Sequence, residues 1–121
     1  MRFLLQKGAN ANITDRDGNS PMMYATAKSF TEGVDILIRY GGSVNLANSS
    51  GETPLIRAVQ LRSVDLIRKL LEAGADPDKA DVLAGKSARD YALEDKRYPA
   101  IGKMLADAPK KKANAAVAGP K

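Results

Sequence analysis

The chain has 121 residues, of which 44% are hydrophobic and 27% charged, with 4 Tyr, 2 Phe and no Trp; this is the size and composition of one ordinary folded domain. Histidine and cysteine are both absent, which excludes the commonest general acid-base group, thiol nucleophiles, disulfides and His/Cys zinc sites together. The formal charge is +5, but residues 1–105 carry 15 basic against 13 acidic side chains, and the excess gathers at Lys110, Lys111, Lys112 and Lys121 against Asp107; a nearly balanced body is a poor phosphate-binding surface.

In chain order, a first helix is expected from Met1, with Phe3, Leu4 and Leu5 on it. It has no preceding partner for its apolar face, so an upstream segment or another molecule is expected to cover it. Met1 to Gly8 lacks the apolar core of a secretory signal, and no stretch approaches the ~20 apolar residues of a membrane span. The chain as given reads as soluble and cytoplasmic, with export expected if a signal peptide precedes it. The lack of cysteine fits any compartment.

Next comes Ser20-Pro21, a hydroxyl N-cap followed by proline at the first helical position, and Thr53-Pro54 repeats it. These helices end near Lys28 and Leu61. Second helices start near Thr31 and Ser63, placing Val34, Leu37, Ile38 and Ile67, Leu70, Leu71 on one face at i, i+3, i+4. Gly41 and Gly74 close them as left-handed residues, where a Cβ is expected to clash. Asp15, Asp17, Gly18 and Asn48, Ser50, Gly51 supply tight turns. A third unit uses Ser87 as its cap and Pro99 to open a last helix through Met104 and Leu105.

The glycines set the period. Gly8, Gly41 and Gly74 are spaced 33 and 33; Gly18, Gly51 and Gly85 are spaced 33 and 34, the extra residue falling in Val82-Leu83-Ala84. Two short helices cannot bury an apolar stripe alone, so each unit must stack on its neighbours, giving a linear array with one continuous core.

With Ser20-Pro21, Thr53-Pro54-Leu55 and the Gly-Ala-Asp type tails at Gly8, Gly41 and Gly74, the chain resembles the ankyrin repeat family from about Leu4 to Leu105. The resemblance implies an all-α solenoid of stacked helix-turn-helix repeats with short β-turn or hairpin loops. It divides the chain into a partial repeat at 1–14 with its second helix only, repeats at 15–47 and 48–80, a C-terminal capping repeat at 81–106, and a disordered basic tail at 107–121. The run from Ser87 to Ala92 is similar to the final repeats of small bacterial members, some of which are exported. The family's His after Thr-Pro-Leu is Met23, Ile56 and Asp90 here. Its Gly-His between the two helices is Ser29-Phe30, Arg62-Ser63 and Lys96-Arg97, which is expected to lower local stability.

Three local patterns suggest chemistry, and each has a simpler account. Ala80 to Ser87 ends in Gly85-Lys86-Ser87, the business end of a phosphate loop, but the required buried strand is not there and Gly85 and Ser87 already serve as turn and cap. Asp15, Asp17, Asp76, Asp78 and Asp81 sit near turns, but aligning Gly18 to a calcium loop puts Ile13 and Tyr24 at ligand positions, so they read as turn and cap residues. Lys110-Lys111-Lys112 lacks interleaved aromatics and reads as a solvated tail, with nucleic-acid or anionic-membrane association as the alternative function.

Tyr24, Arg57 and Tyr91 fall at equivalent first-helix positions, which the resemblance places on the concave face, and Tyr and Arg are types enriched at interface hot spots. The competing reading stacks Arg57 between the two rings to seal the groove. The resemblance also points to Lys28, Gln60, Leu61, Glu94 and Asp95 at first-helix ends, and to Arg16, Asn19, Ser49, Glu52 and Lys86 at loop tips. The implied function is a non-catalytic module that binds another protein through its concave face, without cofactor, metal or small-molecule substrate.

Overall fold

The computed structural model describes residues 12–108; the expected first helix and the lysine-rich segment lie outside them. Six helices form three successive pairs: α1 Pro21–Ala27 with α2 Thr31–Arg39, α3 Pro54–Leu61 with α4 Val64–Glu72, and α5 Ala88–Glu94 with α6 Pro99–Asp107. No strand occurs among the described residues, and no helix there is long and apolar enough to cross a membrane.

Each first helix starts where a hydroxyl replaces a missing intrahelical acceptor. The Ser20 side chain accepts from the Met23 amide, Thr53 from Ile56 and Ser87 from Asp90. At Ser87 the bond is reciprocal, because the Asp90 carboxylate accepts the Ser87 amide at 3.0 Å, completing a capping box. Caps of this kind contribute about 1 kcal/mol each, which matters for helices of only 7 to 9 residues that are too short to persist alone in water.

Packing supplies the rest. Within each pair the two helices lie against each other, and the first helices also stack in series, α1 on α3 and α3 on α5, while α2 packs on α4. One apolar cluster runs through all three pairs: Val34, Leu37, Leu55, Ile56, Leu66, Ile67, Leu70 and Leu105 are fully buried. Burying one such side chain is worth about 1.5–3 kcal/mol, and because the cluster is continuous from pair to pair the modules stabilise one another. Ile38 and Leu71, expected on the inward face, are half-buried at the edge of this cluster.

The turns ahead of each pair are also stacked in register. The Ser49 amide donates to the Asp17 carbonyl at 2.9 Å and, 33 residues on, the Val82 amide donates to the Ser50 carbonyl at 2.9 Å. This close approach explains the glycines at 18 and 51. Both have positive φ, and a Cβ at Gly51 would lie 2.7 Å from the Val82 amide nitrogen. Gly41 differs from expectation: it is left-handed, with φ 89°, but a Cβ there would meet nothing within 4 Å. Its requirement is the backbone conformation alone.

Where the family has glycine between paired helices, two units hold side chains in the same left-handed conformation, Ser29 at φ 55° and Arg62 at φ 58°. In the third unit Asp95 ends α5 in an extended conformation instead. A left-handed L-residue costs about 1–2 kcal/mol, part of which glycine gives back through unfolded-chain entropy. Ser29→Gly should therefore stabilise the protein by roughly 0.5–1 kcal/mol, read as a higher urea midpoint at unchanged slope.

Candidate protein-interaction site

The expected interaction residues line up along the first helices and the turn tips, and most are tied into the turns that precede them. The Asp15 carboxylate accepts the amides of Asp17 and Asn19, both at 2.9 Å, and the Asn48 side-chain oxygen accepts those of Ser50 and Glu52. Asp81, 33 residues further on, accepts the amides of Ala84 and Lys86 across the longer Val82-Leu83-Ala84 tip. One side chain thus builds each turn, and then holds or aligns a residue of the following helix.

In the first unit the Tyr24 hydroxyl donates to Asp15, and in the third the Tyr91 hydroxyl donates to Asp81. The middle unit replaces both partners: Asn48 donates to Glu52 at 3.2 Å, and Glu52 accepts from the Arg57 guanidinium at 2.8 Å. An acidic turn residue is matched with Tyr, and an amide with a Glu-Arg pair. The hydrogen bond from Tyr91 is the main reason the Asp81 carboxyl lies below its ordinary range, and the same bond pushes the Tyr91 hydroxyl up to about 12. Tyr24 and Asp15 shift in the same directions for the same reason.

These pairings correct the idea that Arg57 stacks between two tyrosine rings. Among the described residues the cations over rings are Arg62 and Arg97 on Tyr98, at 4.5 and 5.7 Å, and Lys86 on Tyr91 at 5.9 Å. Arg57 is instead turned back toward its own turn by Glu52. The phosphate-loop resemblance at Lys86 also finds its use here. The loop amides of Ala84 and Lys86 point at the Asp81 carboxylate, and the Lys86 ammonium pairs with Glu94 at 2.9 Å, so these donors already serve an anion of the chain itself.

Of the remaining tip residues, Arg16 and Ser49 are exposed, and Asn19 is half-buried, accepting from the Asn48 amide group at 3.1 Å. At the helix ends Lys28 and Gln60 are exposed, and Leu61 keeps 42% of its surface in solvent. The structure brings Gln60, Tyr91, Glu94 and Asp95 together around a cavity of about 570 Å³ between the ends of α3 and α5. It leaves Tyr24 and Lys28 one helix away on α1, and Arg16, Asn19, Ser49 and Glu52 at the tips.

The same cavity is completed by Arg62, Lys96 and Arg97, which sequence reasoning did not single out. Their signal was visible: Arg62 and Lys96 occupy the register where the family carries glycine. Asp95 accepts from Arg62 Nε at 3.1 Å, from Arg97 Nε at 3.2 Å and from the Arg97 amide at 3.2 Å. Burial pushes the Asp95 carboxyl up, but these bonds outweigh it and hold it below the usual carboxylate range.

Paired helices in a 33-residue register, with first helices stacked on first helices and turn tips joined in series, define an α-solenoid repeat protein. A family model described as ankyrin repeats in three copies matches residues 1–81, and the chain belongs to the ankyrin repeat family. The third pair, α5 and α6, follows the matched residues.

The chain is 29% identical over 105 residues to the nuclear factor NF-kappa-B p105 subunit of Gallus gallus, covering 84% of this chain and 11% of that protein. It is 34% identical over 89 residues to the E3 ubiquitin-protein ligase XBAT33 of Arabidopsis thaliana, covering 74% of this chain and 17% of the relative. It is also 34% identical over 84 residues to a putative ankyrin repeat protein of Rickettsia felis, covering 64% and 37%. The chain thus spans a small part of the length of these relatives. Ankyrin repeats are a general protein-protein interaction module and are generally non-catalytic.

Proposed function

We propose that this chain is a non-catalytic binding module that presents the exposed side of α1, α3 and α5, with the turn tips beside it, to a partner protein. The observation that carries this reading is the fixing of Tyr24, Arg57 and Tyr91, each half-exposed or nearly so and each held by a carboxylate of its own turn. A side chain already held in place loses little rotamer freedom on docking, so more of the contact energy appears as affinity. Tyr and Arg add large contact area together with a hydrogen-bonding end.

The test is best made at Arg57. Its ion pair with Glu52 is partly solvent-exposed, 36% on the Arg side, and such pairs add little to stability. Arg57→Ala should weaken binding of a purified partner, found by affinity capture and cross-linking, by about tenfold or more, with the urea midpoint nearly unchanged. Parallel losses of binding and stability would make Arg57 a structural residue and sink the assignment of this face. Tyr91→Ala is the poorer test, because it also strips Asp81 of a bond to a charged acceptor, worth about 1.5–3 kcal/mol.

A further inference from the structure

The cavity between α3 and α5 carries information about the chemistry of the partner. Its acids are already satisfied by the chain: Glu94 by Lys86, and Asp95 by Arg62 and Arg97. Its cations are not. Arg62 and Arg97 each spend only Nε on Asp95, which leaves both Nη nitrogens of each guanidinium without a partner among the described residues. Lys96 is exposed and has no partner there at all.

The Arg62 guanidinium is held in place, and Arg97, with 73% of its side chain exposed, is oriented by the same ring and carboxylate. Arg62 lies 4.5 Å over the Tyr98 ring and Arg97 lies 5.7 Å from the same ring, while their common acceptor Asp95 fixes the near edge of each. Oriented guanidinium forks suit a planar anion such as a carboxylate, because part of the geometry is set before the ligand arrives. Val59 and the Tyr91 ring line the same cavity and offer an apolar surface to the methylenes that carry such a carboxylate.

We infer that this groove takes an acidic segment of a partner polypeptide, with Glu or Asp carboxylates held by Arg62, Arg97 and Lys96. The inference rests on the protein-binding reading above and names the charge of the segment bound. Charge complementarity selects the occupant: a basic segment would meet Arg62, Lys96 and Arg97 while the groove's two carboxylates, Glu94 and Asp95, are already engaged by cations of the chain.

The experiment titrates the full chain, labelled with nitrogen-15, with an octaglutamate peptide, and in parallel with an octalysine peptide and a single-stranded oligonucleotide. The glutamate peptide should move the Arg62 and Arg97 side-chain Nε signals and the Gln60 and Lys96 amides, saturably and with strong salt dependence. Lys96→Gln, which breaks no contact in the fold, should weaken this binding about threefold, and R62Q with R97Q about tenfold or more. Replacing Lys110, Lys111 and Lys112 with Gln should leave the groove shifts in place.

Shifts confined to the lysine-rich segment, tighter binding of the oligonucleotide at the groove, or indifference to Lys96→Gln would each overturn the inference. Failure here is separable from failure of the broader reading. If octaglutamate leaves the groove silent while a protein partner still depends on Arg57, the binding module stands and its acidic preference falls. If octaglutamate fills the groove and a captured partner ignores Arg57, the groove assignment stands and the Arg57 face falls.

Discussion

Arg89→Ala should cost about 3 kcal/mol of stability and loosen the third helix pair first. Arg89 is the most buried member of any ion pair among the described residues, with 11% of its side chain exposed. Its Nε and Nη2 bind the two oxygens of Asp78 at 2.8 and 3.0 Å, while Nη1 reaches the carbonyls of Leu105 and, at 3.0 Å, Ala108. One guanidinium therefore ties the turn before α5 to the last carbonyls of α6, which have no intrahelical donors of their own. Removing it takes the bidentate partner from Asp78 and opens the helix-end carbonyls together, the costly kind of loss.

Arg89→Lys should recover less than half of the loss, because an ammonium cannot span both acceptors with a planar fork. The checks are urea unfolding and amide hydrogen exchange, with the α6 amides losing protection before those of α3 and α4. A double-mutant cycle with Asp78→Ala should give a coupling of about 1–3 kcal/mol. A change below about 0.5 kcal/mol in Arg89→Ala, the range of ordinary surface substitutions, would show that α6 is held by its apolar face alone.

The register of the chain explains why an arginine is needed at this point. Asn12, Asn45 and Asp78 are spaced 33 apart. The first two are asparagines that reach forward, each donating to the carbonyl of the glycine closing the next helix pair, Gly41 or Gly74, and accepting the amide two residues beyond it. The third, Asp78, is a carboxylate with no N–H to give a helix-end carbonyl, and Arg89, bound to both of its oxygens, supplies that donor to the carbonyls of Leu105 and Ala108. Asp78 and Arg89 together thus supply the donor that one asparagine amide supplies in each of the two earlier turns.

Most of the fold was legible because its signals are local. A hydroxyl before proline, a glycine that must be left-handed and an apolar stripe at helical spacing each act within a few residues, so Ser20, Thr53, Gly41, Gly74, Val34 and Leu70 could be placed from the sequence and are where they were expected. The site was legible only in part. That Tyr24, Arg57 and Tyr91 share a register followed from counting, but their partners did not, because the bond from Tyr91 to Asp81 depends on a turn that folds back over ten residues. Arg62 and Asp95 lie 33 apart, and only the stacking of one pair on the next makes them neighbours. Arg62 was absent from the expected site, and its pairing with the expected Asp95 unforeseen, for the same reason as the missed role of Arg89: charged residues choose partners across the repeat, and spacing alone does not say which.

Asn45→Ala should separate the first and second helix pairs in stability, at a cost of about 2–3 kcal/mol. The Asn45 side chain donates to the Gly74 carbonyl at 3.2 Å and accepts the Asp76 amide at 2.6 Å, so truncation removes both halves of a clamp and leaves a carbonyl and an amide half-buried without it. In a linear array, stability is close to a sum of module terms and nearest-neighbour terms, and weakening one neighbour term lowers cooperativity before it unfolds the whole. The unfolding transition should therefore broaden as its midpoint falls, with α1 and α2 exchanging amide hydrogens at lower free energy than α3 and α4. Asn45→Asp is the informative companion. It keeps an oxygen for the Asp76 amide but places a second oxygen against the Gly74 carbonyl, so it should also destabilise, by less than the alanine. If Asn45→Ala instead shifts the midpoint with no broadening and equal effects on all helices, the pairs are coupled by their apolar faces so strongly that the asparagine clamp sets register without setting cooperativity.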